Sequence, residues 1–264
     1  MIILKSEEEI SKIKAACQIV AETLEFLRGN VKAGVTTGDL DRLAEEMIIK
    51  QHGTPAFKGY RNFPATLCAS VNSEVVHGIP SKKCVLKEGD IIGLDLGAVV
   101  DGFYGDAAIT VPVGEISREA RDLIRTTEES LYKGIEKARP GNRLSDISHA
   151  VQRHVEAAGY SVVRDFVGHG IGRNLHEEPQ IPNYGEPGHG PRLKKGMVLA
   201  LEPMVNAGQS GVRVLEDRWT VVTGDARLSA HFEHTISITD DGPVILSALI
   251  RPLDRPSHRP EMEA

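Results

Sequence analysis

A repeated pattern is the feature that most limits how this chain of 264 residues can fold. A helix-type segment near Gly34 recurs near Gly141, and the apolar segment 87–95 recurs at 194–202, in both cases 107 positions later. Each copy of the apolar segment ends in a carboxylate. A shared offset in a helix region and a strand region predicts two related α/β halves. We therefore expect a functional site between these halves.

Four segments have the apolar spacing of amphipathic helices. The first is the clearest, because Ser6 and Glu9 form a capping box before it and Gly29 interrupts the pattern after it. Runs of β-type residues lie between the four segments, so the chain mixes both kinds of element. The other three helices are predicted at residues 37–53, 117–140 and 144–159.

The charge and the cysteine content exclude several classes of protein. The net charge of −6 leaves no basic excess for nucleic acid or an anionic membrane. Three cysteines, an odd number without a C-x-x-C pair, argue against a disulfide framework and favour a reducing compartment. No basic leader precedes a long apolar run, and no segment approaches about 18 consecutive apolar residues. We therefore expect a cytoplasmic protein that acts on small molecules or peptides.

A hairpin brings two aspartates together in this sequence. The Asp-Gly pair at 101–102 is typical of a two-residue hairpin turn. If the residues flanking the turn pair with each other, Gly97 lies opposite Asp106, and Asp95, at the end of an apolar strand, shares their face. Each acid alone would be an ordinary strand end or turn cap. Together they repel unless a cation holds them, so the pair indicates a metal.

Three further side chains extend this candidate site. The repeat puts Glu202 at the strand end equivalent to Asp95, and His169 lies in a glycine-rich segment where a ligand can approach closely. Glu233 faces away from the apolar side of its strand. For the neighbouring His231 and His234 we expect ordinary packing.

Four motifs carry a resemblance to a known family. The segments D-L-G-A-V-V-D-G-F-Y-G-D, G-H-G-I-G, A-L-E-P and H-F-E-H-T resemble the metal-site signatures of the type I methionine aminopeptidases, and the similarity extends over about residues 2–249. It implies the α+β pita-bread fold, in which two pseudo-twofold related halves form a curved antiparallel sheet covered by helices on one face. The implied domain is 1–249, with halves of about 1–110 and 111–249. The proline-rich segment 250–264 is predicted to be a flexible tail.

The resemblance also implies a set of metal ligands. Two divalent ions, Co, Mn, Fe or Zn, would be held, with Asp106 and Glu233 as the bridging ligands. A set of oxygen donors with one imidazole suits these ions better than a thiolate-loving ion. The implied ligands are Asp95, Asp106, His169, Glu202 and Glu233.

The remaining implications concern the peptide substrate. His77 and His176 are implied to contact the scissile peptide, and Glu202 is placed to carry a proton from the nucleophile to the leaving amine. A wall of aromatic and sulfur side chains suits a thioether. The implied pocket residues are Tyr60, Phe63, Cys68 and Trp219, with Phe57 and Leu175 nearby, and each of these could instead be plain core packing.

The implied activity is removal of the initiator methionine from nascent polypeptides when the second residue is small. The expected partner is therefore the N-terminal methionine of a nascent chain. Neither a membrane nor nucleic acid is needed, and a monomer is expected. Transient contact with the ribosome surface stays open.

Two rival functions remain compatible with the sequence. Prolidases and proline-specific aminopeptidases share the fold and metal ligands, but they usually carry an extra N-terminal domain for which we expect no room here. A binding module with this fold would typically lose ligands, whereas all five positions hold competent side chains. Comparing Met-Ala peptides with X-Pro peptides separates the first rival, and partner binding without metal would favour the second.

Overall fold

The structure is a computed structural model that describes residues 1–249. The predicted tail 250–264 lies outside the described residues. Within residues 1–249 the α-helices are α1 (Glu7–Arg28), α2 (Thr37–Lys50), α3 (Arg118–Lys137) and α4 (Leu144–Ala157), and a short 3-10 turn spans Tyr60–Asn62. The strands of the same residues are β1 (Thr54–Pro55), β2 (Leu67–Val71), β3 (Glu74–Val76), β4 (Ile91–Val100), β5 (Phe103–Pro112), β6 (Ser161–Val162), β7 (Gly168–Gly170), β8 (Glu177–Ile181), β9 (Val198–Leu201), β10 (Met204–Asn206), β11 (Val212–Val214), β12 (Val221–Thr223), β13 (Ser229–His231), β14 (Glu233–Thr239) and β15 (Gly242–Ile245).

All four predicted helices are confirmed. Helix α1 begins at the predicted capping box, in which the Glu9 N–H donates to Ser6 Oγ at 3.2 Å and the Ser6 N–H donates to the Glu9 carboxylate at 3.1 Å. Gly29 is its C-cap. The buried face of α1 packs against β4 and β5, with side chains such as Val20 and Leu24 in the same core cluster as Leu94. None of the helices within residues 1–249 is apolar over a length that would cross a bilayer.

The central sheet has nine antiparallel strands and joins the two halves of the chain. Its main order is β1-β4-β5-β14-β9-β7-β8, while β2 adds to β4 and β15 adds to β14. Helices α1 and α3 both contact strands of this sheet. A curved antiparallel sheet with helices packed on it is the pita-bread fold that the resemblance implies. The pairing of β5 with β14 at its centre brings the β4–β5 hairpin beside the strands of the second half.

The predicted hairpin register is confirmed. Val100 pairs with Phe103 and Gly97 pairs with Asp106, so Asp95 and Asp106 project from the same face. One expectation was wrong, because Asp95 lies in the middle of β4 instead of at its end. The strand continues past it since every residue of β4 finds a partner in β5.

The offset of 107 positions also recurs in the hydrogen bonding. The loop before α2 and the loop before α4 bind the chain ahead of β4 and β9 in the same way. Asp106 does not follow the offset, since its counterpart Arg213 lies in β11, which belongs to a separate sheet with β12 and β3. The exact division into halves stays a prediction. The matching pairs are the Gly34 N–H to Leu86 C=O bond with the Gly141 N–H to Leu193 C=O bond, and the single-residue bridges Thr36 to Val85 and Arg143 to Arg192.

Candidate active site

A cavity of about 260 Å³ lies over the centre of the main sheet, and side chains from both halves line it. We call its acidic end the floor, which consists of Asp95, Asp106, His169, Glu202 and Glu233. We call its solvent-facing edge the mouth, which consists of Tyr60, Arg61 and His176. The other lining residues are Phe57, Phe63, Cys68, His77, Phe166, Leu175 and Trp219.

Strand pairing brings the floor together. Glu233 begins β14 opposite Ala108 of β5, and Asp106 lies two positions before Ala108 on the same face. His169 of β7 pairs with Ala200 of β9, which ends just before Glu202. One ligand atom from each of Asp106, His169 and Glu233 lies within 4.8 Å of the others. These three side chains form a buried group that could hold a metal ion.

Three carboxylate oxygens of the floor lack hydrogen-bond partners. Asp95 Oδ1, Asp106 Oδ1 and Glu233 Oε1 are buried and have no hydrogen bond within the described residues. Burial raises the pKa of Asp95 to about 7. Burial and the Asp95 charge raise the pKa of Asp106 well above its usual range. A buried carboxylate oxygen without a hydrogen bond destabilises the folded protein. A divalent cation is the partner that suits several such oxygens at once.

Two histidines flank Glu202. His169 Nε2 lies 3.4 Å from Glu202 Oε1, and His231 Nε2 lies 3.8 Å from Glu202 Oε2. Burial lowers the pKa of both imidazoles to about 3, so both are neutral at neutral pH. The Nδ1–H of His169 donates to the Gly170 carbonyl at 2.9 Å, which leaves a lone pair on Nε2 facing the floor. Such an orientation suits a metal-ligating imidazole.

The glycines on either side of His169 are required by close backbone approach. A Cβ at Gly168 would overlap the Ala200 carbonyl of β9, and a Cβ at Gly170 would overlap the Glu178 carbonyl. Strand β7 therefore fits between its neighbours only with glycine at both positions. This explains why the histidine lies in a glycine-rich segment.

The mouth is held by ring contacts and one hydrogen bond. Tyr60 Oη and His176 Nδ1 are 2.8 Å apart, and their rings stack with centroids 5.4 Å apart. The His176 ring centroid lies 4.3 Å from that of His169. Burial first, and then the Arg61 charge, lower the pKa of His176. The mouth thus connects directly to the floor through two imidazoles.

Aromatic side chains line another part of the cavity, and we call this group, Phe63, His77, Phe166 and Trp219, the wall. Trp219 packs edge-on against Phe63 with ring centroids 5.1 Å apart, and His77 contacts Phe166 at 5.6 Å and Trp219 at 6.1 Å. Burial lowers the pKa of His77 to about 4, so it is neutral at neutral pH. Cys68 lies opposite Asp95 in the register of β2 and β4, which places a sulfur beside a carboxylate of the floor.

Every candidate site residue predicted from the sequence lines this one cavity. Arg61 and Phe166 were missed, because neither lies in a motif, although Arg61 follows the predicted Tyr60 directly. His231 was expected to be ordinary packing, yet its buried Nε2 has no hydrogen bond within residues 1–249 and faces Glu202. His234 does pack away from the floor, with Nδ1 at 2.8 Å from Ser247 Oγ.

Comparison with known proteins places the chain in a family. The model of "Metallopeptidase family M24" matches residues 11–240. A methionine aminopeptidase of Clostridium acetobutylicum is 57% identical over 247 residues, which covers 94% of this chain and 99% of that protein. The crystal structure of a methionine aminopeptidase from Thermotoga maritima superposes with a TM-score of 0.93 at 51% identity, covering 94% and 99% of the two chains.

A more distant likeness shows the fold alone. Prolidase from Pyrococcus furiosus superposes with a TM-score of 0.75 at 24% identity, covering 94% of this chain and 66% of that chain.

The family model and the 57% identical relative show that the chain belongs to the metallopeptidases of family M24. Within that family it belongs with the type I, bacterial-like methionine aminopeptidases, which are hydrolases.

Proposed function

We propose that this chain removes the initiator methionine from nascent proteins and favours a small second residue. The observation that carries the proposal is the buried floor of four carboxylates and one imidazole at the end of a cavity with an aromatic and sulfur wall. The floor suits hydrolysis, and the wall suits an unbranched thioether side chain.

Two divalent ions would be held by Asp95, Asp106, His169, Glu202 and Glu233, with Asp106 and Glu233 shared between them. The orphaned buried oxygens of Asp95, Asp106 and Glu233 fit this assignment. Four carboxylates and two divalent ions of Co, Mn, Fe or Zn would nearly balance in charge, and a neutral imidazole suits the same ions. When bound, such a pair lowers the pKa of a water molecule and polarises the scissile carbonyl.

The chain's own groups would handle the proton and the peptide. Glu202 lies at the edge of the floor beside His169 and His231, where its carboxylate can accept a proton from the nucleophile and return it to the leaving amine. His176 and His77 both line the cavity, His176 beside His169 and His77 beside Trp219. Because both are neutral, each can hydrogen-bond the scissile peptide and orient its carbonyl.

The methionine side chain would occupy the walled end of the cavity. Phe63 and Trp219 present an edge-to-face pair there, and Cys68 is buried beside Asp95 of the floor. Tyr60 closes the side next to His176. Sulfur packs favourably against aromatic ring edges, so this wall would favour methionine over a branched aliphatic residue of similar size.

The wider setting is part of the same proposal. We place the enzyme in the cytoplasm as a monomer whose partner is the N-terminal methionine of a nascent chain. Neither nucleic acid nor a membrane would be needed for activity. Transient contact with the ribosome surface stays open.

The test is methionine release from Met-Ala-Ser, followed as free methionine. Activity should disappear with a chelator and return when Mn, Co, Fe or Zn is added back singly. Titrating each ion against activity should reveal two binding events if both sites contribute. Release that persists in excess chelator would contradict the metal assignment.

Two further substrates define the specificity. Met-Leu-Ser should be cleaved much more slowly than Met-Ala-Ser, because the larger second residue would not fit beside the floor. An Ala-Pro peptide should be a poor substrate. A preference for Ala-Pro over Met-Ala would move the function to the prolidase class.

A further inference from the structure

The turn that carries Arg61 has an unusual backbone. Gly59, Arg61 and Asn62 all have positive φ, at 86°, 47° and 72°. Residues other than glycine rarely adopt positive φ, so the surrounding structure must hold Arg61 and Asn62 in this conformation. The turn closes on itself through the Gly59 N–H to Phe63 C=O bond at 2.8 Å. It therefore presents the Arg61 side chain at a defined place on the mouth.

Arg61 carries an uncompensated charge at this place. It is exposed and lines the cavity, and its guanidinium carbon lies 5.4 Å from the centre of the Tyr60 ring. Within residues 1–249 no ion pair involves Arg61, whereas the nearby Lys58 binds Glu45 at 2.7 Å. The same Tyr60 ring stacks on His176 with centroids 5.4 Å apart, so Tyr60 connects the guanidinium to that imidazole.

The direction of a bound peptide follows from the shape of the cavity. The walled end is buried at Phe63 and Cys68, while His176 at the mouth is exposed. An N-terminal residue can therefore occupy the walled end, and the rest of the peptide must leave past His176. Arg61 lies beside that exit, so it faces residues beyond the scissile bond.

We propose that Arg61 is a specificity-determining residue that binds a carboxylate on the part of the peptide leaving the mouth. This inference rests on the proposed aminopeptidase function. The carboxylate can be an acidic side chain at the third residue or the free C-terminus of a tripeptide. A guanidinium is well suited to either, because its planar donors match the two oxygens of a carboxylate.

The expected effect is small and acts on binding. Exposed ion pairs favour association by about two- to fivefold, and salt screens them. Since Arg61 lies beyond the reacting atoms, KM should change and kcat should not. The preference should also shrink when the ionic strength rises from about 0.05 M to about 0.5 M.

Two matched peptide pairs separate the sources of the carboxylate. Met-Ala-Ser with a free C-terminus is compared with its C-terminal amide, and Met-Ala-Asp-amide is compared with Met-Ala-Asn-amide. For the wild-type enzyme loaded with metal we expect the charged member of at least one pair to have a KM lower by about two- to fivefold. The pair that shows this difference identifies the source.

Arg61→Gln should bring the KM ratio of that pair to about one, and Arg61→Lys should retain part of it because the charge remains. Lys58→Gln is the matched control, since it removes a nearby cation that already binds Glu45, and it should leave the ratio as in the wild type. Equal KM values within both pairs for the wild type, or an unchanged ratio in Arg61→Gln, would overturn the inference. No methionine release from any of the four peptides would instead refute the proposed function, and this inference with it.

Discussion

The floor and the mouth of the cavity are built in opposite ways. The floor consists of side chains on paired strands or directly after one, and the strand register alone determines which of them meet. The mouth consists of loop residues, including Arg61 at positive φ and His176 on an exposed segment. Strand pairing holds charged groups at short distances against their repulsion, whereas loops can change without disturbing the sheet. The difference suggests that the floor determines the chemistry and the mouth determines which peptides bind.

The largest expected effect comes from the floor. Asp106→Asn should reduce methionine release by about 1000-fold or more. Loss of a residue that only hydrogen-bonds to a metal ligand lowers activity by about 10- to 100-fold, and Asp106 is itself a proposed ligand. Added metal should raise the melting temperature of the wild type and not that of the variant, since only the wild type would gain binding energy. Metal content and thermal melting are the measurements.

The matched control for this change is Asp241→Asn, an exposed aspartate in the β14–β15 turn. It should behave as the wild type in both measurements. If Asp106→Asn kept a full metal load and full activity, the floor would not be a metal site.

The next effect concerns a buried ion pair next to His176 of the mouth. Lys5 Nζ lies 2.5 Å from Glu177 Oε2, both side chains are buried, and Glu177 directly follows His176. Lys5→Met should lower the free energy of unfolding by about 3–5 kcal/mol, because it leaves a buried carboxylate unpaired. Urea denaturation measures this difference.

The double variant Lys5→Met with Glu177→Leu should recover much of that stability, since no buried charge is left alone. An equal or greater loss in the double variant would mean that packing, and not the charge, matters here. Such a result would weaken the view that the mouth depends on this pair.

A third change removes the imidazole that links the mouth to the floor. His176→Ala should lower kcat by about 100-fold, within the range for loss of one donor to a developing oxyanion. Its metal content should stay that of the wild type, because His176 is not among the proposed ligands. His189→Ala, in an exposed loop, is the control and should be fully active. Loss of metal in His176→Ala would contradict the separation of floor and mouth.

The smallest effect is expected at the hydroxyl that orients this imidazole. Tyr60→Phe removes the hydrogen bond to His176 Nδ1 and keeps the ring stack. A bond of this kind contributes about 0.5–1.5 kcal/mol, so kcat/KM should fall about two- to tenfold. Tyr184→Phe, outside the cavity, should change nothing. A loss in Tyr60→Phe as large as in His176→Ala would mean that the imidazole is active in one orientation only.

The floor could be predicted from the sequence to a large extent. An Asp-Gly turn determines a hairpin register, and that register by itself puts Asp95 and Asp106 on one face of the hairpin. The repeat extended the prediction to Glu202. The end of β4 was the error, since we placed it at Asp95 while the strand continues to Val100. Backbone pairing with β5 continues the strand through Gly97 and Ala98, although glycine and alanine are weak indicators of a strand.

The mouth could not be predicted in the same way. Tyr60 and His176 are 116 positions apart, and no periodicity relates two loops that meet only through the packing of other elements. The same holds for His231, which we expected to pack in the ordinary way, while its unpaired Nε2 beside Glu202 emerged only from the fold. Local turn chemistry and side-chain alternation act over a few residues, so the sequence alone determined the helices, the hairpin and the acids of the floor. The loops, the aromatic wall and the charge at Arg61 were decided by tertiary packing, because they depend on contacts between residues far apart in the chain.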